Sequence, residues 1–178
     1  MLKALTLTLV LGLVGNQMTL TEIEYDIVKN VTTIRVPKTK LSGEKGRYHS
    51  LSFSIDYSYS GSPEKMTTPP ERVNFELTSV VKARTLNTDL YVEFVVDGKP
   101  IHFSSNRSAI RRPVRGRPWI GEKMVFLIPR EDFLKLAAAE TLAIKMDEVT
   151  FEFSNDLRAR VKQFAEGLKG SDRQAVIH

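Results

Sequence analysis

The stretch from His49 to Ser60, HSLSFSIDYSYS, decides the fold. Leu51, Phe53, Ile55, Tyr57 and Tyr59 alternate with Ser52, Ser54, Asp56 and Ser58, so every second side chain is apolar. A period of two is the repeat of a β-strand, whose successive side chains point to opposite faces. One apolar face and one wet face are what an antiparallel sheet with a single buried side requires. A helix would scatter the same residues around its whole circumference.

The same period recurs on both sides. Val73, Phe75 and Leu77 repeat it, as do Val92, Phe94 and Val96. The latter run ends at Asp97-Gly98, a strong two-residue hairpin signal, and Ile101 to Phe103 returns from it. Further strands are expected at Ile23–Val28, Val31–Val36, Met124–Ile128, Leu142–Met146 and Val149–Phe153. Asp147-Glu148 would turn the last two into a hairpin. Two helices interrupt the pattern. Pro129 and the acids Glu131 and Asp132 open a short one, filled by Phe133 to Glu140. Ser154 or Asn155 caps the other, which carries Leu157, Val161, Phe164, Ala165 and Leu168 on one stripe and stops at Gly170. Lys38–Arg47, Gly61–Pro70 and Ser104–Lys123 read as rim loops. The expectation is a mainly β chain: an antiparallel β-sandwich, with a β-barrel as the alternative, plus a short helix and a C-terminal amphipathic helix packed on the sheet.

A length of 178 residues suits one domain, placed at residues 19–170, with 171–178 as a flexible tail. The composition, 42% hydrophobic and 26% charged, excludes a polytopic membrane protein and a wholly disordered chain. The chain has no Cys, which removes disulfides, thiolate-bound zinc, iron–sulfur clusters and thiol nucleophiles. A net charge of +5 is too mild to imply nucleic acid by itself.

The N-terminus carries a second reading. Lys3 gives a basic start, Ala4 to Val14 runs without charge, and Gly15 precedes polar Asn16 and Gln17. That is the order of a secretory signal peptide over residues 1–15, too short to span a bilayer of ~30 Å as a helix. The alternation of Leu5, Leu7, Leu9 and Leu11 fits a half-buried strand as well. Export to the periplasm or the extracellular space is the preferred expectation; a strand would leave the chain cytoplasmic.

No catalytic residue and no metal or cofactor site is expected. His49, His102 and His178 show no ligand spacing, and His102 sits on the polar side of its strand. Ser42/Lys45, Ser62/Lys65 and Ser79/Lys82 match Ser-x-x-Lys. None lies on a helix, where the amine would reach the hydroxyl. The one unusual segment runs from Asn106 to Lys123. It concentrates Arg107, Arg111, Arg112, Arg115, Arg117 and Lys123 against Glu122 alone, beside Trp119. Arg forks suit phosphate and carboxylate, and an indole offers a stacking face, so these residues are the candidate anion-binding set. A solvated crossover loop is the plainer explanation.

Asp97 to Pro129, Phe133 to Ala137, Phe151-Glu152-Phe153 with its helix, Tyr57 to Gly61 and Pro69-Pro70-Glu71 together resemble a layout found in small exported bacterial β-rich proteins. The resemblance implies export and a β-rich fold and brings no activity with it. The expected function is therefore a non-enzymatic envelope or extracellular binding module. Its partner would be an anionic polymer, a lipid headgroup or an envelope protein, with nucleic acid ranked below these. The alternative is a hydrolase of an anionic polymer, which would need a cleft with a carboxylate or imidazole beside the Arg segment.

Overall fold

The computed structural model describes residues 6–9, 21–43, 45–46, 48–63, 69–81, 92–103, 110–114, 119–146 and 148–169. In chain order the strands are β1 (Thr6–Leu9), β2 (Glu22–Asp26), β3 (Val31–Ser42), β4 (Tyr48–Ser60) and β5 (Arg72–Val81). Next come β6 (Val92–Val96), β7 (Lys99–His102), β8 (Ile110–Pro113) and β9 (Ile120–Pro129). Helix α1 (Arg130–Ala138), β10 (Leu142–Met146), β11 (Val149–Glu152) and α2 (Asn155–Glu166) complete the set.

Two antiparallel sheets result. The seven-stranded one runs β1-β2-β3-β4-β5-β9-β8 and the four-stranded one β11-β10-β6-β7. Neither closes on itself, so the architecture is sandwich-like rather than a barrel. The alternating residues of β4 do what their pattern requires: Leu51, Phe53, Ile55 and Tyr57 are buried, and the intervening Ser and Asp side chains face away. The small sheet supplies Val92, Phe94, Leu142, Ile144, Met146 and Phe151 to the same core. Ring contacts stitch the layers together, Tyr48 to Phe151 at 5.4 Å and Phe53 to Phe153 at 5.0 Å.

Both helices form where expected. Ser154 caps α2, its Oγ accepting from the Leu157 N–H at 3.4 Å. The stripe of α2 buries Val161, Phe164 and Ala165, and the helix ends in a 3-10 turn, Gly167–Lys169, that buries Leu168. Phe164 meets Tyr57 at 5.2 Å and Phe133 of α1 at 5.7 Å, so the amphipathic helix docks on the large sheet and on its fellow helix.

Several boundaries differ from the sequence reading. β2 stops at Asp26, because its Oδ1 accepts from the N–H groups of Val28 and Lys29 and turns the chain early. Asn30, at φ 52°, completes that turn in the left-handed region that Asn tolerates. β3 continues through Pro37 to Ser42 instead of giving way to a loop at Lys38. Register shifts between Val36 and Thr39 and between Lys40 and Ser42 absorb the proline, which has no N–H to give. Residues Ser104–Lys123 are not a plain loop either: β8 and the start of β9 lie within them. Thr6–Leu9 forms β1, antiparallel to β2 at one edge of the large sheet. The tail at 171–178 and most of the first twenty residues lie outside the described residues.

Burial pushes the Tyr57 phenol up to about 12, with Tyr59 adding to the effect. Its hydroxyl has no hydrogen-bond partner among the described residues. The folded chain therefore holds that proton to about pH 12, whereas an unfolded tyrosine releases it near 10. Stability should fall as pH rises through that window, since the folded state then binds more protons than the unfolded one. Tyr57→Phe should remove this component from urea midpoints measured between about pH 9 and about pH 12. At neutral pH it should cost nothing, because an unpartnered buried hydroxyl contributes no net stabilisation.

Candidate functional site: a basic edge hairpin

β8 is the outermost strand of the large sheet, and with β9 it forms an antiparallel hairpin. The Val114 N–H donates to the Trp119 carbonyl at 2.9 Å and closes its base. Register sets Arg111 opposite Glu122, Arg112 opposite Gly121 and Pro113 opposite Ile120. The sequence Ile-Arg-Arg-Pro has no apolar alternation, so it lacks the period-two signal of the other strands. An edge strand needs none, and charge with a terminal Pro is what keeps such an edge from pairing with other chains. Arg107, Arg115 and Arg117 lie outside the described residues. Of the candidate set, then, Arg111, Arg112 and Trp119 share one described hairpin.

Trp119 is half-buried and lies against His49, ring centroids 3.8 Å apart and planes 37° apart. His49 sits where β4 slips register between Tyr48 and Ser50. β5 separates β4 from β9 in the sheet, so the indole reaches over the end of β5 to meet the imidazole. No sequence signal announces this contact. It exists only because the strand order brings the two ends together.

Glu122 departs furthest from the sequence reading. Rather than the lone acid of a solvated loop, it is 0% exposed, in phase with the buried Met124, Phe126 and Ile128 of β9. Its cross-strand neighbours are Ser79 on β5, itself 2% exposed, and Arg111 on β8. A carboxylate withdrawn from water must be neutralised or fully hydrogen-bonded. Lys123, counted with the basic residues, faces the other way and pairs with Glu76 at 2.5 Å. The segment's cationic character therefore rests on its arginines.

A carboxylate and an imidazole thus adjoin the Arg segment, as a hydrolase would need. Glu122 has no solvent exposure, however, and His49 lies beneath Trp119. A pocket formed by the small sheet and α2 shares no residue with this hairpin. His102 is exposed on β7, its Nε2 3.9 Å from Glu93, as a solvent-facing strand residue. Among the described residues no group of three His, Asp or Glu is placed to hold a metal ion.

The register distinguishes the two arginines of β8. Arg111→Ala should destabilise the protein clearly more than Arg112→Ala in urea denaturation, because only the former stands opposite a buried carboxylate. Leaving a buried carboxylate without a neutralising neighbour typically costs ~3–5 kcal/mol, whereas a surface charge contributes ~1 or less. In a Glu122→Gln background the difference between the two should largely disappear. Equal costs for both substitutions in the wild-type background would show that Arg111 does not serve Glu122.

Comparison with protein-family models, with curated proteins and with solved structures finds no match to the chain.

Proposed function

We propose that the protein is an exported, non-enzymatic binding module of the envelope or extracellular space, and that the β8–β9 hairpin is its contact surface for an anionic polymer or lipid headgroup. The observation that carries this reading is the placement of Arg111 and Arg112 on the outermost strand, with the chain's single Trp directly before the neighbouring strand β9. Arg115 and Arg117 follow in the connection between the same two strands. Guanidinium groups along a sheet edge meet an extended polyanion without rearrangement of the core, and bidentate pairing favours phosphate, sulfate and carboxylate alike.

The binding test uses heparin and anionic vesicles as separate probes, with Trp119 fluorescence as the readout. Affinity should fall steeply with salt, since screening shortens to ~8 Å at physiological ionic strength and exposed contacts weaken first. Changing Arg112, Arg115 and Arg117 together to Ala should reduce both the affinity and the salt slope while sparing Arg111 and the fold. Preference between the two probes separates polymer from lipid. Identical binding of wild type and triple variant to both would end the reading.

Export rests on the basic start at Lys3 and the charge-free run from Ala4 to Val14. No helix among the described residues is long and apolar enough to cross a membrane. Removal of residues 1–15 would take β1 with it and leave β2 as the sheet edge. Intact mass of protein from an envelope or culture fraction should lack those residues. Recovery only from the cytoplasm with Met1 to Gly15 in place would overturn the proposal of export.

A further inference from the structure

On the outer side of the small sheet, the α1–β10 connection, the Asp97-Gly98 turn and the first turn of α2 surround a pocket of ≈ 460 Å³. That volume falls among those of small-molecule sites. Val95 and Ala143, paired across β6 and β10, provide its apolar floor together with Leu142 and Phe153. Its walls are tied down by hydrogen bonds from backbone N–H groups. The Thr141 N–H donates to Asp97 Oδ1 at 2.8 Å, the Asp97 N–H to the Thr141 carbonyl at 3.0 Å, and the Phe153 N–H to the Leu142 carbonyl at 2.8 Å. The pocket is preformed by the same contacts that join its three segments.

Charges of both signs line it. Glu140 and Glu152 carry carboxylates with no ion-pair or hydrogen-bond partner among the described residues. Arg158 is held in place, its Nη2 donating to Asn155 Oδ1 at 2.5 Å in the first turn of α2. The 12-residue helix adds the positive end of its dipole on that side. Arg158 forms no ion pair with either carboxylate, so the opposite charges remain separate within one small cavity. A simple anion would meet the two carboxylates there, and a simple cation would meet Arg158. A molecule with both charges and an aliphatic body meets all three surfaces.

We propose that this pocket binds a small zwitterion, an apolar α-amino acid free or at a peptide end. The ammonium faces Glu140 and Glu152, the carboxylate faces Arg158 and the start of α2, and the aliphatic group rests on Val95 and Ala143. The site shares no residue with the basic hairpin, so it stands whether or not that hairpin binds polyanions.

The test is NMR titration of the full-length ¹⁵N-labelled chain with L-leucine. Saturable shifts are expected at Gly98, Ala143, Thr150 and Glu152. 4-Methylpentanoate lacks the ammonium and leucinamide lacks the carboxylate, and each should bind about tenfold or more weakly, the worth of one charge-assisted hydrogen bond. Arg158→Met should abolish the preference for leucine over leucinamide, and Glu152→Gln should reduce its preference over 4-methylpentanoate. Glu140→Gln, in an exposed connection, provides a second carboxylate variant should Glu152→Gln disturb β11. Leucyl-glycine binding tighter than leucine identifies a peptide end, and the reverse identifies the free amino acid. Absence of saturable shifts with leucine and leucyl-glycine alike would overturn the proposal. So would equal affinity for leucine and both analogues.

Discussion

Phe94 is where the two sheets are joined. It is fully buried on β6, and the edges and faces of Phe75 and Phe126 from the large sheet close on it at 5.1 and 5.7 Å. Phe103, just beyond β7, adds a third near-perpendicular contact at 5.2 Å. Edge-to-face pairs add ~0.5–1.5 kcal/mol each beyond simple burial. Truncating a buried Phe typically costs ~3–5 kcal/mol, a large part of the ~5–15 kcal/mol that stabilises an ordinary domain. The site geometry depends on this junction. Val95, next to Phe94, forms the floor of the small-sheet pocket, and Phe126 belongs to the strand that continues from the basic hairpin.

Elsewhere the large sheet satisfies its own polar groups. On its outer face Asn74 donates to Asp56 at 2.8 Å, Thr33 and Ser58 share a hydrogen bond at 2.8 Å, and Arg35 meets Glu24 at 2.8 Å. Such exposed pairs contribute little to stability. They do help hold the register, because Asp56 with Asn74 and Thr33 with Ser58 are direct cross-strand partners. Lys123 is likewise paired with Glu76 on that face.

The legible part of this structure is the part whose physics is local. Alternation in β4, β6 and β10 follows from burial on one face, and the Asp97-Gly98 turn follows from backbone conformation, with φ of 48° and 77° at its two residues. The amphipathic stripe of α2 was equally plain. Less visible was anything set by strand order. β8 carries no apolar signal because an edge needs none, and β3 passes Pro37 only by slipping register against β4. The burial of Glu122 was written in its phase with Met124 and Phe126, but a carboxylate next to six basic residues reads as solvated until its neighbours are known. The pocket draws Val95, Glu140, Glu152 and Arg158 from four separate segments, and no spacing along the chain brings these together.

The path of the chain has a consequence for folding. After β5 it leaves the large sheet to make β6 and β7, returns for β8 and β9, and leaves again for β10 and β11. The central pair β6–β10 of the small sheet is therefore completed only after the large sheet has gained β9, its partner for β5. Neither layer is a contiguous piece of sequence, because each has strands of the other inserted between its own. Non-local pairing of this kind slows folding, because long loops must close before the contacts that reward closure exist. It also binds the two layers into one cooperative unit. A cut between β5 and β6 would separate strands of the large sheet, and one between β9 and β10 strands of the small sheet.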